Sequence, residues 1–297
     1  MRSAALLGLL LALPLAGCTS PSAQARVDVL ASFYPVQFLA ERVASGHLAV
    51  GVLVPAGVEP HDYELTPGDT ASVQRARLVA YHGAGLEAFA DALRALADGA
   101  QVPVVEAAAG LDLATRDLGE EHGADPHLWL DPLRAAQEAR NLEAALARVD
   151  PANASSYGAG LASLTADLAQ LDREYRDGLA ACAKHKIITT HAAFGYVADR
   201  YNFTQIPITG LEPEADPSAE KLREVADLAR RENITVIFFE TLVSPRVAQV
   251  IADEVHGRTE VLDPVEGLTD EAIAAGQDYL SVMRDNLRNL RDAMECA

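Results

Sequence analysis

Apolar residues along this chain fall into short runs of β-branched and small side chains, separated by stretches whose apolar positions recur at helical spacing. In the first half the strand-like runs are 27–31, 49–54, 78–81 and 102–105, with helical stretches at 35–44, 70–76 and 86–97 between them. Alternation at this pitch predicts βαβ units and a parallel sheet. Asp131 and Pro132 then open a helix over 132–149. The aspartate serves as cap, and the proline fills the first helical position, where no N–H is needed. From 157 to 181 the pattern changes, and Leu161, Leu164, Leu168, Leu171, Tyr175 and Leu179 fall on one stripe of a long helix. The second half returns to alternation, with strands predicted at 187–190, 204–208, 235–240 and 259–262 and helices at 193–200, 217–231, 245–255 and 270–294. Asp216-Pro217 and Ser244-Pro245 repeat the cap-then-proline opening. The expected architecture is α/β: two (β/α)-type lobes with parallel sheets, 27–152 and 183–297, joined by one long rigid helix over 153–182.

Charge narrows the partners. Acidic residues outnumber basic ones 43 to 24, a formal net charge of −19. A surface this negative repels phosphate backbones, which argues against a nucleic-acid partner. The 49% apolar content and its periodicity set the chain apart from disordered acidic sequences.

The N-terminus changes the compartment. Met1-Arg2-Ser3 precedes an apolar run from Ala4 to Ala16, then Gly17 and Cys18. One positive charge, a short apolar core and small residues before a cysteine predict a leader at 1–17, not a spanning helix. Leu15-Ala16-Gly17-Cys18 resembles a bacterial lipobox, which implies cleavage before Cys18 and a lipid on its sulfur. Residues 18–26 would then tether an exported protein to the membrane. Two further cysteines remain, Cys182 and Cys296. In an oxidising compartment they either form a disulfide that pins the C-terminal helix or persist as two free thiols.

Of the 8 histidines, His61, His127 and His191 stand where strand-like runs meet turns, beside proline or small residues. Such loops are where α/β lobes bind ligands. His47, His82, His122, His185 and His256 lie in polar stretches or near element ends and read as ordinary surface or core groups.

Five runs carry a resemblance. They are Val58-Glu-Pro-His61-Asp-Tyr-Glu-Leu-Thr-Pro67, Gly83-Ala-Gly-Leu86 and Asp125-Pro-His127-Leu-Trp-Leu-Asp131-Pro132, then Thr190-His191-Ala-Ala-Phe-Gly-Tyr196 and Leu262-Asp-Pro-Val-Glu-Gly-Leu-Thr269. In order and over nearly the whole mature chain, they resemble the zinc/manganese solute-binding lipoproteins of bacterial ABC importers. That resemblance implies one metal in the cleft between the lobes, held by His61 and His127 from the first lobe and His191 from the second. The fourth ligand would be Glu266, with Asp263 the alternative. It also implies an ABC permease as partner, and a monomeric protein is expected.

The chemistry agrees with that set. Three imidazoles and a carboxylate supply the four borderline N/O donors that Zn²⁺ accepts. Manganese members resemble this set but carry a carboxylate in the third position, so His191 favours Zn²⁺ over Mn²⁺. Four protein donors leave no position for a reactive water, which favours capture over catalysis by a zinc hydrolase. A surface adhesin draws no specific support from an acidic face. Asp125 is placed to take a ring N–H of a ligand histidine. Glu59 is placed to orient His61 or to cap a turn, while Glu240 is directed at the cleft with no assigned role. The interval 115–125 is short where many zinc members carry a long His-rich loop. Its Glu120, Glu121 and His122 read as a solvated acidic loop, the alternative being a weak second ion site.

Overall fold

The computed structural model describes residues 27–117 and 122–297. The predicted leader, the lipid-bearing Cys18, the tether and the pair Glu120 and Glu121 lie outside the described residues.

Four short strands build the first sheet: β1 (Val29–Ala31), β2 (Val50–Val52), β3 (Leu78–Tyr81) and β4 (Val104–Glu106). They lie in the order β2-β1-β3-β4, all parallel. The central strands β1 and β3 are buried at every position, which is why they read as continuous apolar runs. Around them pack α1 (Tyr34–Ala44), α2 (Pro67–Arg75), α3 (Ala90–Gly99) and α4 (Pro132–Val149). Asp131 caps α4 as expected, accepting the Leu133 N–H at 2.9 Å.

Two of these helices start away from their predicted positions. α2 begins earlier because Thr66 and Asp69 form a reciprocal capping box around Pro67. α3 begins later because the Glu87 carboxylate accepts the N–H groups of His82 (2.7 Å) and Gly83 (3.0 Å), holding 82–87 as a turn. Two antiparallel strands, β5 (Thr115–Asp117) and β6 (His122–Ala124), pair where a loop was expected.

The second sheet comprises β7 (Lys186–Thr189), β8 (Thr204–Pro207), β9 (Val236–Phe239) and β10 (Arg258–Val261), parallel in the order β10-β9-β7-β8. Its helices are α6 (Gly195–Tyr201), α7 (Ala219–Arg231) and α8 (Arg246–Glu254), then α9 (Asp270–Ala274) and α10 (Tyr279–Ala293). Ser218, not Asp216, caps α7 by accepting the Lys221 N–H. The single helix expected over 270–294 is broken. Gly276 turns the chain at φ 75°, and Asp278 with Ser281 caps a fresh start at Tyr279.

Between the two sheets in sequence lies α5 (Ala154–Gly178), whose Leu164, Leu168, Leu171 and Tyr175 are buried along the predicted stripe. A side chain at Gly160 would place its Cβ 2.4 Å from the Val43 carbonyl oxygen, so glycine alone permits this approach to α1. At its other end α5 meets α10, through Tyr175 Oη donating to the Met283 carbonyl (2.6 Å) and Arg284 pairing with Glu174 (2.8 Å). The lobes also touch directly. Arg200 on α6 forks onto Asp131 at 2.5 and 2.6 Å, and Tyr196 Oη donates to the Asp125 carbonyl at 2.8 Å. Trp129 Nε1 donates to the Pro264 carbonyl at 2.8 Å.

Cys182 and Cys296 form the disulfide, flanked by backbone bonds Lys184 N to Met294 O (3.0 Å) and Ala297 N to Ala181 O (2.9 Å). The cysteines lie 114 residues apart in sequence. On chain entropy, closing so long a loop stabilises the fold by about 4–5 kcal/mol. Denaturant unfolding with and without reductant should show a loss near that size, mirrored by Cys182→Ser with Cys296→Ser. An unchanged midpoint would refute a stabilising role.

Candidate metal centre

Every candidate side chain is carried on a loop beyond the carboxyl end of a strand. His61 follows β2 in a Pro-rich turn, folded by the Glu59 carboxylate accepting the backbone N–H of His61 (3.0 Å) and of Asp62 (3.3 Å). Of the two roles considered for Glu59, this is the turn cap: its recorded bonds go to backbone, not to the imidazole. His127 follows β6, and Asp125 Oδ1 accepts both its backbone N–H (3.0 Å) and its ring Nδ1–H (2.9 Å). His191 follows β7 and Glu240 follows β9. These neighbours in the sheet flank the point where the strand order reverses, the usual ligand crevice of such sheets.

Glu266 is delivered by a strained turn after β10. Val265 adopts φ 58°, a left-handed conformation costly for a β-branched residue. Asp263 holds it there. Its Oδ1 accepts the Val265 N–H at 2.7 Å, and its Oδ2 accepts the Thr241 hydroxyl at 2.6 Å. Asn286 grips both backbone groups of Asp263, at 2.8 and 2.6 Å. Asp263 is therefore not brought into the cluster. It shapes the turn that sends Glu266 inward.

What converges is His61, His127, His191 and Glu266, whose donor atoms all lie within 4.8 Å of one another. Glu266 Oε1 stands 3.4 Å from His61 Nε2, 3.4 Å from His127 Nε2 and 3.7 Å from His191 Nε2. His127 Nε2 and His191 Nε2 are 3.2 Å apart. Four donors about 2.0–2.1 Å from a tetrahedral Zn²⁺ would be separated by about 3.3–3.4 Å. The four edges given above, 3.2–3.7 Å, are close to these. All four residues are buried, the most open, His61, being 6% exposed.

Two carboxylates set the tautomers. A carboxylate only accepts, so Asp125 beside Nδ1 of His127 keeps the proton there and leaves Nε2 as a donor to metal. Glu240 does the same for His191, with Oε1 2.7 Å from Nδ1 in an ion-pair contact poorly aligned for a hydrogen bond. Thr190 donates its hydroxyl to the same oxygen, and the His191 N–H lies 3.3 Å from it. Glu240 is thus the functional residue whose role sequence reasoning left blank. Its place at the end of an apolar strand was the available signal.

Charge in the pocket is finely opposed. Burial alone would raise the Glu266 carboxyl, but the surrounding imidazoles hold it well below the usual range. Burial would lower His191, yet Glu240 and Glu266 hold it well above an ordinary imidazole. His61 is raised in the same way, Glu266 and Glu59 outweighing burial. Burial, reinforced by Glu266, pushes Glu59 up to about 7, and burial pushes Asp263 up to about 6.

Residues 29–293 match the family described as zinc-uptake complex component A, periplasmic. The chain belongs to this family. It is 35% identical over 280 residues to the high-affinity zinc uptake system protein ZnuA of Bacillus subtilis, covering 91% of this chain and 88% of that protein. It is 32% identical to the zinc-binding lipoprotein AdcA of Streptococcus pneumoniae, covering 98% of this chain but only 60% of AdcA. The Zn(II)-bound ZnuA-like domain of that AdcA superposes with a TM-score of 0.80 at 32% identity, covering 91% of this chain and 100% of the domain. In this zinc-uptake family the two-lobed α/β architecture and zinc as the bound ion both hold, as the five sequence runs led one to expect.

The pKa shifts predict opposite pH trends for fold and ligand. His61, His191, Glu59 and Asp263 are all raised, so the folded apoprotein binds more protons than the unfolded chain near neutrality. Their stabilisation is present at low pH and is lost as pH rises through the raised values. The Glu266 contribution runs the other way, present above the ordinary carboxyl range and lost only in strong acid. Zinc instead needs the imidazoles deprotonated. Between pH 8 and pH 6 the apoprotein should therefore melt higher on acidification while its zinc affinity falls, the fall starting above the ordinary imidazole value of about 6.5. Calorimetry and chelator competition at matched pH check this. Parallel trends would refute it.

Proposed function

We propose that the protein captures zinc outside the cytoplasm and delivers it to an ABC permease, with His61, His127, His191 and Glu266 as the four ligands. The observation that carries this reading is the buried His₃Glu cluster, with Glu266 Oε1 3.4–3.7 Å from the three Nε2 atoms and His127 Nε2 3.2 Å from His191 Nε2. Four converging protein donors saturate a tetrahedral ion, an arrangement suited to holding a metal and unlike the open position of a hydrolytic site. Family membership supports the permease as the kind of partner. The relatives named as lipoproteins support anchorage through Cys18, after removal of 1–17, with 18–26 as tether. In this reading 27–152 and 183–297 are the two capturing lobes and 153–182 the spine between them.

Delivery needs reversibility. The ligands come from both lobes, so the ion adds its bonds to an interface already joined by Asp131–Arg200 and Tyr196–Asp125. Exchange then requires a small tilt or a loosening of the cleft loops, since α5 is packed against elements at both ends. Elemental mass spectrometry of the chain from Val27 onward, purified without added metal, tests the capture reading. One zinc per chain, lost in His191→Ala, is expected. Manganese in its place, or metal retained by the variant, would overturn the assignment.

A further inference from the structure

A further histidine–carboxylate pair lies buried beside the cluster and belongs to none of its ligands. His82 follows β3, at the reversal point of the first sheet between β1 and β3, and its side chain is 0% exposed. Its Nε2 lies 2.7 Å from the carbonyl oxygen of Pro126. A carbonyl only accepts, so Nε2 carries the proton. Its Nδ1 faces Oε2 of Glu138, on α4, at 3.6 Å. Glu138 is likewise 0% exposed, and neither of its oxygens, nor His82 Nδ1, has a hydrogen-bond partner among the described residues. The Trp129 and Phe33 rings wall the pair edge-on, with centroids 5.0 and 5.9 Å from the imidazole.

Two lone pairs cannot face each other at this range without repulsion. The pair therefore holds one more proton, either on Nδ1 as imidazolium against carboxylate or on Glu138 as an acid directed at Nδ1. Both states leave Nε2–H aimed at Pro126. Such a group is a poor device for stability: buried ion pairs are often matched or bettered by apolar residues of similar size. Its grip on one particular peptide gives it another use. Pro126 sits between Asp125, which holds both N–H groups of His127, and His127 itself. Tyr196 grips the Asp125 carbonyl from the other lobe.

We propose that His82 and Glu138 are positioning residues for His127, fixing the Asp125–Pro126–His127 loop so that its Nε2 meets the ion in register. This rests on the reading of His127 as a zinc ligand. Loss of a group that orients a ligand histidine typically weakens metal binding about 10–100-fold.

The test replaces the pair by apolar residues, His82→Leu with Glu138→Leu, alongside His82→Phe with Glu138→Met in case the first variant misfolds. The apoproteins should unfold at or above the wild-type midpoint. Zinc affinity by chelator competition should drop about 10–100-fold, and the visible spectrum of the Co²⁺ form should shift, a change that core packing alone would not produce. Glu138→Gln should keep affinity within a few-fold of wild type, because its amide can donate to Nδ1 and preserve the tautomer. Variants that bind zinc with wild-type affinity and an unaltered Co²⁺ spectrum would overturn the proposal. Loss of affinity in Glu138→Gln equal to that of the apolar variants would overturn it also. A wild type that binds no zinc would instead sink the capture reading, so the two failures are distinguishable.

Discussion

Everything around the centre answers to one electrostatic constraint: a carboxylate charge and three imidazole lone pairs are made to converge within 4.8 Å of one another, away from water. Unassisted, such a group would spring apart or neutralise, because burial of a bare charge is strongly unfavourable. The flanking groups remove each freedom that would let it do so. Asp125 and Glu240 fix the far ring nitrogens of His127 and His191. Asp263, held by Asn286 and Thr241, keeps Val265 in a strained turn so that Glu266 cannot swing out. Without an ion, the imidazoles hold Glu266 in its charged form. With an ion, the metal takes over that role and protons leave.

The constraint also explains the lobed architecture. Loops from two sheets can approach one point from opposite sides of a cleft. His61 and His127 come from one side, His191 and Glu266 from the other. Direct bonds across the cleft, Arg200 to Asp131 and Trp129 to Pro264, help set the spacing of the lobes. The long helix α5 ties the backs of both lobes, and the disulfide closes the chain end onto the start of the second. The protein thus separates the work of holding the frame from the work of binding.

Much of this was written in local pattern. Strand–helix alternation, Asp131 before Pro132 and the leucine stripe of α5 each depend on neighbours in sequence, and each appears in the structure as expected. Helix starts were less legible where a side chain binds backbone a few residues away, as when Glu87 reaches back to His82 and delays α3. The three histidines stood out by their turns. The choice between Glu266 and Asp263 did not, because two carboxylates three residues apart differ only in where a left-handed Val265 points them. Glu138 and His82 owe their places to the packing of whole elements, which no local run of residues displays, and the end of an apolar strand marked the place of Glu240 but not its partner.

The central claim is that the cluster closes on zinc as four protein ligands, three imidazole nitrogens and one carboxylate oxygen. X-ray absorption at the zinc edge of the loaded protein addresses it most directly. The account predicts a single shell of four N/O neighbours at about 2.0–2.1 Å, with the outer-shell scattering of three imidazoles and no sulfur. Five or six neighbours, or the scattering of two imidazoles or fewer, would contradict it.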